Sequence, residues 1–145
     1  MISVLITLAV ATGVGLLLRR RNGRFRRAVS SWPDAHQAVP GAAVTLLQIS
    51  AERCAVCPQV AATLGDLAAR TPGLAHREIR AEDDLDLVRR HDVLRSPTVL
   101  VLDGTGAVVA RASGAVTADQ AWQAVAPLLA TSGTRDLGEA ARAQR

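Results

Sequence analysis

A chain of 145 residues, 49% of them apolar, is long enough for one packed domain plus accessories; with only Phe25, Trp32 and Trp122 aromatic, its core must be aliphatic, which favours a small α/β domain over an aromatic-rich β-sandwich. The net charge of +4 is local: six Arg fall between Arg19 and Arg27, and the remaining eleven face thirteen acidic residues, a balance of −2, so no basic face is left to track a nucleic-acid backbone. Two cysteines three apart exclude a multi-disulfide framework, and the unpaired spacing of His36, His76 and His91 argues against a four-ligand structural zinc site.

Ile2 to Leu18 carries no charge. As a helix it would span about 26 Å, at the short end of what crosses a bilayer. Ser3, Thr7 and Thr12 do not supply the polar face that a soluble amphipathic helix would show. Arg19–Arg20–Arg21 follow the apolar run, whereas a secretory signal peptide carries its positive charge in front. Residues 1–18 are therefore expected to be a retained transmembrane anchor. Flanking Arg residues stay on the cytoplasmic side, against anionic headgroups. The expected location is the plasma membrane, single-pass, with residues 19–145 in the cytosol.

Residues 19–43 are expected to be an Arg-rich juxtamembrane segment and linker, punctuated by Ser30, Ser31, Pro33, Pro40 and Gly41, with Phe25 and Trp32 at the membrane interface. A domain follows over residues 44–130. Val44 to Ile49 is a continuous apolar run that predicts a buried strand. From Pro58 to Arg70, Val60, Leu64, Leu67 and Ala68 share one helical face, and Thr71–Pro72–Gly73 ends it. His76 to Arg80 predicts a second strand. Asp83, Asp84 and Asp86 open a helix that Arg89, Arg90 and His91 close, complementing its dipole. Thr98 to Leu102 predicts a strand, Asp103–Gly104–Thr105–Gly106 a hairpin turn, and Ala107 to Ala112 the returning strand. Thr117 and Gln120 form a capping box for a last helix presenting Ala118, Trp122, Val125 and Leu129, which Pro127 should kink or stop near Val125. Residues 131–145 are expected to be a polar, flexible tail. The first two strands should pair in parallel through the helix between them, and the hairpin adds two antiparallel strands. The fold class is α/β, a central mixed sheet flanked by helices, preceded by the transmembrane helix.

The chemistry sits in Arg53–Cys54–Ala55–Val56–Cys57–Pro58, between a buried strand and an amphipathic helix. Two cysteines at this spacing can close a disulfide across a first helical turn. Cys54 is expected at the helix N-terminus, where unpaired N–H groups favour a thiolate, with Arg53 beside it. Cys57 is expected to point inward and resolve the mixed disulfide. An inert buried pair is the plainer alternative. Ser96–Pro97 immediately precedes a strand, where proline is tolerated and a cis bond is open to it.

At these residues the chain resembles the thioredoxin family, over about residues 44–128. The resemblance rests on the strand–Cys-x-x-Cys–helix, on Val93–Leu94–Arg95–Ser96–Pro97–Thr98, on the Asp103–Gly104 hairpin and on Gly114 before the last helix. It implies a thioredoxin-like fold and thiol–disulfide oxidoreductase activity, with Cys54 attacking, Cys57 resolving and Pro97 as the cis-proline. Arg53, Ala55, Val56, Ser96 and Pro97 are the implied client-binding residues, an extended client segment pairing with the backbone at Ser96. It implies client proteins with disulfides or thiols, a thioredoxin reductase or other dithiol donor, and no bound cofactor; residues 1–18 add the lipid bilayer as an expected partner, and the charge balance and histidine spacing leave no nucleic acid or metal expected. Arg53 and Ala55–Val56 depart from the Trp and Gly-Pro of thioredoxins, and Gln48 falls where the family carries a buried Asp. A redox-inactive thioredoxin-like binding module tethered to the membrane is the alternative reading.

Overall fold

The structure is a computed structural model that describes residues 2–28 and 34–143, with side chains at 2–17, 22–28 and 34–133. Nine elements follow in order: α1 (Ile2–Arg21), β1 (Arg26–Arg27), β2 (Val44–Ser50), α2 (Cys57–Ala69), β3 (Leu74–Arg80), α3 (Leu85–Arg90), β4 (Thr98–Asp103), β5 (Val108–Ser113) and α4 (Ala118–Ala143).

The strands form one sheet in the order β1-β5-β4-β2-β3. β2 and β3 pair in parallel and β4 and β5 antiparallel, as expected; β4 also pairs antiparallel with β2, and β5 with β1. Every residue of β2 is buried. This is why Val44 to Ile49 reads as a continuous apolar run rather than an alternating one: the strand is central and both its faces are covered. On one face Val44, Leu46, Val99 and Val101 pack with Val60 and Leu64 of α2 and Ala121 and Val125 of α4. On the other, Leu47, Ile49, Leu100 and Leu102 pack with Leu87 of α3. The hairpin between β4 and β5 turns where expected: Asp103 Oδ1 accepts from the Thr105 and Ala107 amides at 2.9 and 3.1 Å.

Four expectations need correction. α4 does not stop near Val125; it runs through Pro127 to Ala143. A proline inside a helix costs about 3 kcal/mol. Val125 is fully buried before it and Leu128 and Leu129 pack on the core after it, so burial on both sides outweighs the break. The buried stripe of α4 includes Ala121 and not Trp122, which is 47% exposed. The tail expected from residue 131 is helical as far as Ala143. The segment after α1 is not a plain linker: β1 pairs with β5, and Asp34 and Gln37 are buried. Asp34 bonds His91 Nε2, and Arg90 Nη2 donates to its other oxygen at 2.9 Å. The expected linker residues Ser30, Ser31, Trp32 and Pro33 lie outside the described residues.

The expected transmembrane span is not met: among the described residues no helix is long and apolar enough to cross a membrane. The side chains of Leu18 and of Arg19–Arg20–Arg21 lie outside the described residues. All described side chains of α1 are exposed, Ile2 at 76% and Leu17 at 58%, so α1 projects away from the sheet.

α1 is joined to the sheet with no slack. The Gly23 amide donates to the Ser113 carbonyl at 3.1 Å, and Gln120 Nε2 donates to the Asn22 carbonyl at 3.4 Å. Gly23 has φ +71° and a Cβ there would meet the Ala115 carbonyl at 2.1 Å, so only glycine fits this junction.

Candidate redox site

Ser50 ends β2, and the chain turns at once. The Cys54 amide donates to the Ala51 carbonyl at 3.1 Å and the Cys57 amide to the Cys54 carbonyl at 3.3 Å. α2 starts at Cys57, with Val56 as its N-cap residue and Pro58 in the first turn, where a missing N–H costs nothing. Cys54 therefore stands three residues ahead of the helix rather than in its first turn, a correction to the expected placement. The two sulfurs are bonded at 2.07 Å, with the Cα atoms 5.4 Å apart. Cys57 is 3% exposed while Cys54 is half-buried, the asymmetry that stepwise exchange requires.

Arg53, Ala55 and Val56 all face solvent beside the sulfurs. Ser96 is half-buried and Pro97 is buried, with the Ser96–Pro97 peptide cis. Thr98 is in register with Ile49, so Pro97 enters β4 next to the point where β2 gives way to the cysteine loop. The Gly114 amide donates to the Pro97 carbonyl at 2.8 Å, which fixes that entry. Leu94, three residues earlier, is 87% exposed and adds an apolar side chain to this end of the sheet that the sequence did not single out.

A cleft of about 720 Å³ opens beside the disulfide, lined among others by Cys54, Cys57, Glu52, Glu78, Asp83 and Asp84. Arg80 supplies its one basic side chain and pairs with Asp83 through two bonds of 3.1 Å. Hydrogen bonding and charge from Arg80 hold the Asp83 carboxyl below its ordinary value. Glu82 is lowered as well, because it accepts from the Glu52 amide at 3.1 Å. Among the described residues no three His, Cys, Asp or Glu side chains converge on a metal site.

Beneath the disulfide lies a polar group that the sequence only half revealed. Gln48 is fully buried. Its Nε2 lies 2.9 Å from Ser50 Oγ, 3.1 Å from the Cys57 carbonyl and 3.1 Å from Glu78 Oε1, and donates among them. Ser50 Oγ also bonds Glu78 Oε1. Gln48 Oε1 is buried without a partner among the described residues, a deficit worth roughly 1–3 kcal/mol. Glu78 sits directly opposite Gln48 in the β2–β3 register, thirty residues away in sequence. The strand alternation places His76, Glu78 and Arg80 on one face; that was the available signal. Burial pushes the pKa of His76 down, against a smaller opposing pull from Glu78.

No protein family and no curated protein matches the sequence. Solved structures do match: thioredoxin-2 of the malaria parasite, described as a component of that parasite's protein secretion machinery, superposes with TM-score 0.52 at 16% identity over 58% of this chain and 82% of its own. The thioredoxin of Fasciola hepatica gives TM-score 0.51 at 16% identity over 81% of this chain and 92% of its own. The chain has a thioredoxin-like fold. A thioredoxin from Nicotiana alata matches at TM-score 0.51 and 18% identity over 58% of this chain and 71% of its own. A thioredoxin-like fold carrying a Cys-x-x-Cys pair at disulfide distance is consistent with thiol–disulfide exchange with protein partners. A second cleft of about 650 Å³, between Phe25, Val109 and Leu128, holds no nucleophile.

Proposed function

We propose that the chain is a thiol–disulfide oxidoreductase that exchanges disulfides with client proteins through Cys54 and Cys57. The observation that carries this reading is the unequal burial of two bonded sulfurs at the end of a central strand. In the reduced protein the Cys54 thiolate attacks a client disulfide. Cys57 then attacks Cys54 and releases the reduced client. Arg53, Ala55, Val56 and Leu94 form the exposed rim a client would meet, and the backbone at Ser96, beside the cis-Pro97, is the edge for an extended client segment. A dithiol donor, such as a thioredoxin reductase, regenerates the pair.

The test is insulin reduction by dithiothreitol. Wild type should accelerate insulin precipitation, and Cys54→Ser should fall to the rate of dithiothreitol alone. Equal rates for the two proteins would end the enzymatic claim. The reading as a redox-inactive binding module draws on Gln48, a neutral group where an acid is expected. Trapping separates the two: Cys57→Ser accumulates mixed disulfides in cells only if exchange occurs.

We further propose that α1 docks the protein on the plasma membrane by inserting its apolar side chains, with the redox domain on the cytoplasmic side. The exposed apolar surface of α1 supports this, since such a surface is costly in water. Labelling of reduced Cys54 in intact cells by a membrane-impermeant alkylating reagent would place the domain outside instead.

A further inference from the structure

We propose that Glu78, working with Ser50 and Gln48, takes the proton that Cys57 must lose before it can resolve a mixed disulfide. The inference rests on the exchange reading above and assigns a residue to a step that reading leaves open.

Cys57 is 3% exposed, so bulk water reaches its thiol poorly. A thiol in such a place needs a nearby base, because the thiolate is the nucleophile. Gln48 is the side chain that bonds the Cys57 carbonyl from below, but an amide neither takes nor gives a proton in the ordinary pH range. Its Nε2 also donates to Glu78 Oε1 at 3.1 Å, and Ser50 Oγ bonds the same oxygen. Two neutral donors thus hold one carboxylate oxygen at the edge of the cleft that Cys57 lines. The acid sits one strand away from the position facing the helix, on β3 instead of β2, and the neutral amide fills the space between.

The step balances as follows. The Cys57 S–H bond breaks and its proton passes to the Glu78 carboxylate across the cleft that both residues line, not through the Gln48 amide. The sulfur lone pair forms the Cys57–Cys54 bond, the bond between Cys54 and the client sulfur breaks, and the client leaves as a thiolate that solvent protonates. The cysteine pair is oxidised by two electrons and the client reduced by two. Glu78 then returns its proton to solvent through the cleft.

The charged and titratable groups around Glu78 are His76 and Arg80 on its own strand, Glu52 from the cysteine loop, and Asp83 and Asp84 from the approach to α3; α2 contributes only Cys57 and Pro58 to the cleft. The test uses the full chain carrying 2-nitro-5-thiobenzoate on Cys54, with Cys57 free, and follows release of the chromophore against pH. In wild type, the rate of release carries an acid-side inflection. Glu78→Gln should lose that inflection and run about tenfold to a hundredfold slower near neutrality, converging with wild type at high pH, where hydroxide removes the proton. Glu52→Gln, which removes a different carboxylate of the same cleft, should retain the inflection. A wild-type profile in Glu78→Gln would overturn the proposal while leaving exchange intact. Loss of the inflection in Glu52→Gln as well would overturn it, because the inflection would then not belong to Glu78. No Cys57-dependent release in wild type would overturn the exchange reading itself.

Discussion

His76 shows how a single buried side chain ties stability to pH. It lies on β3 facing α2, with its Nδ1 3.9 Å from where a Cβ on Gly65 would stand, and its Nε2 has no partner among the described residues. Burial lowers its folded pKa below 6.5. A histidine with a depressed folded pKa binds its proton more readily in the unfolded chain, so its contribution is present above pH 6.5 and is lost as pH falls below that value. Thermal melts between pH 7.5 and 5 should therefore show falling stability, and His76→Leu should flatten the curve in this window; an unchanged slope would refute the assignment. The lowered carboxyls of Asp83 and Glu82 act with the same sign, but at more acidic pH. Residues of this kind were hard to read from sequence. Cys54, Cys57 and Pro97 announce themselves by local chemistry. The Gln48–Glu78 contact depends on a strand register that no local pattern specifies.

Among the elements, the tie between residues 34–38 and α3 matters most. Asp34 is 2% exposed and binds both Arg90 and His91, over a separation of 57 residues for the latter. Arg111 Nη1 donates to the His91 carbonyl at 2.8 Å and so links β5 to the same group. Asp34→Ala should destabilise the protein by roughly 1–3 kcal/mol, because two donors lose a buried acceptor, and urea titration would measure it. A change under about 0.5 kcal/mol, the usual range for surface substitutions, would show that the tie is slack. The sequence read this stretch as linker for a physical reason: its order comes from two buried side chains and a two-residue strand, neither of which leaves a periodic trace. α2 was legible because its apolar residues recur at the helical period, β2 because an unbroken apolar run marks a strand covered on both faces, and α3 because acidic residues open it and basic ones close it. The capping box formed as read, with the Thr117 amide donating to Gln120 Oε1 at 2.9 Å. The local rule for Pro127 failed because it takes no account of what α4 buries beyond the proline.

For the molecule as a whole, the thioredoxin-like domain and α1 are energetically separate. α1 leaves its described side chains exposed, and both apolar clusters are built from residues beyond it. Deleting residues 1–17 should leave the melting transition within a few degrees of the full chain while abolishing sedimentation with membranes. Loss of folding on truncation would mean that α1 supports the domain directly. Mechanically the two are not separate. Ser113, which receives the Gly23 amide, stands in register with Thr98, and Thr98 with Ile49, so α1 departs from the end of the sheet that bears the two sulfurs. With only Asn22 to Phe25 between α1 and β1, and the Gly23 amide already bonded to Ser113 of β5, the disulfide has no leash on which to search. Under the docking and exchange proposed above, its working radius is set by the place where α1 inserts, and a client must bring its own cysteines to that spot.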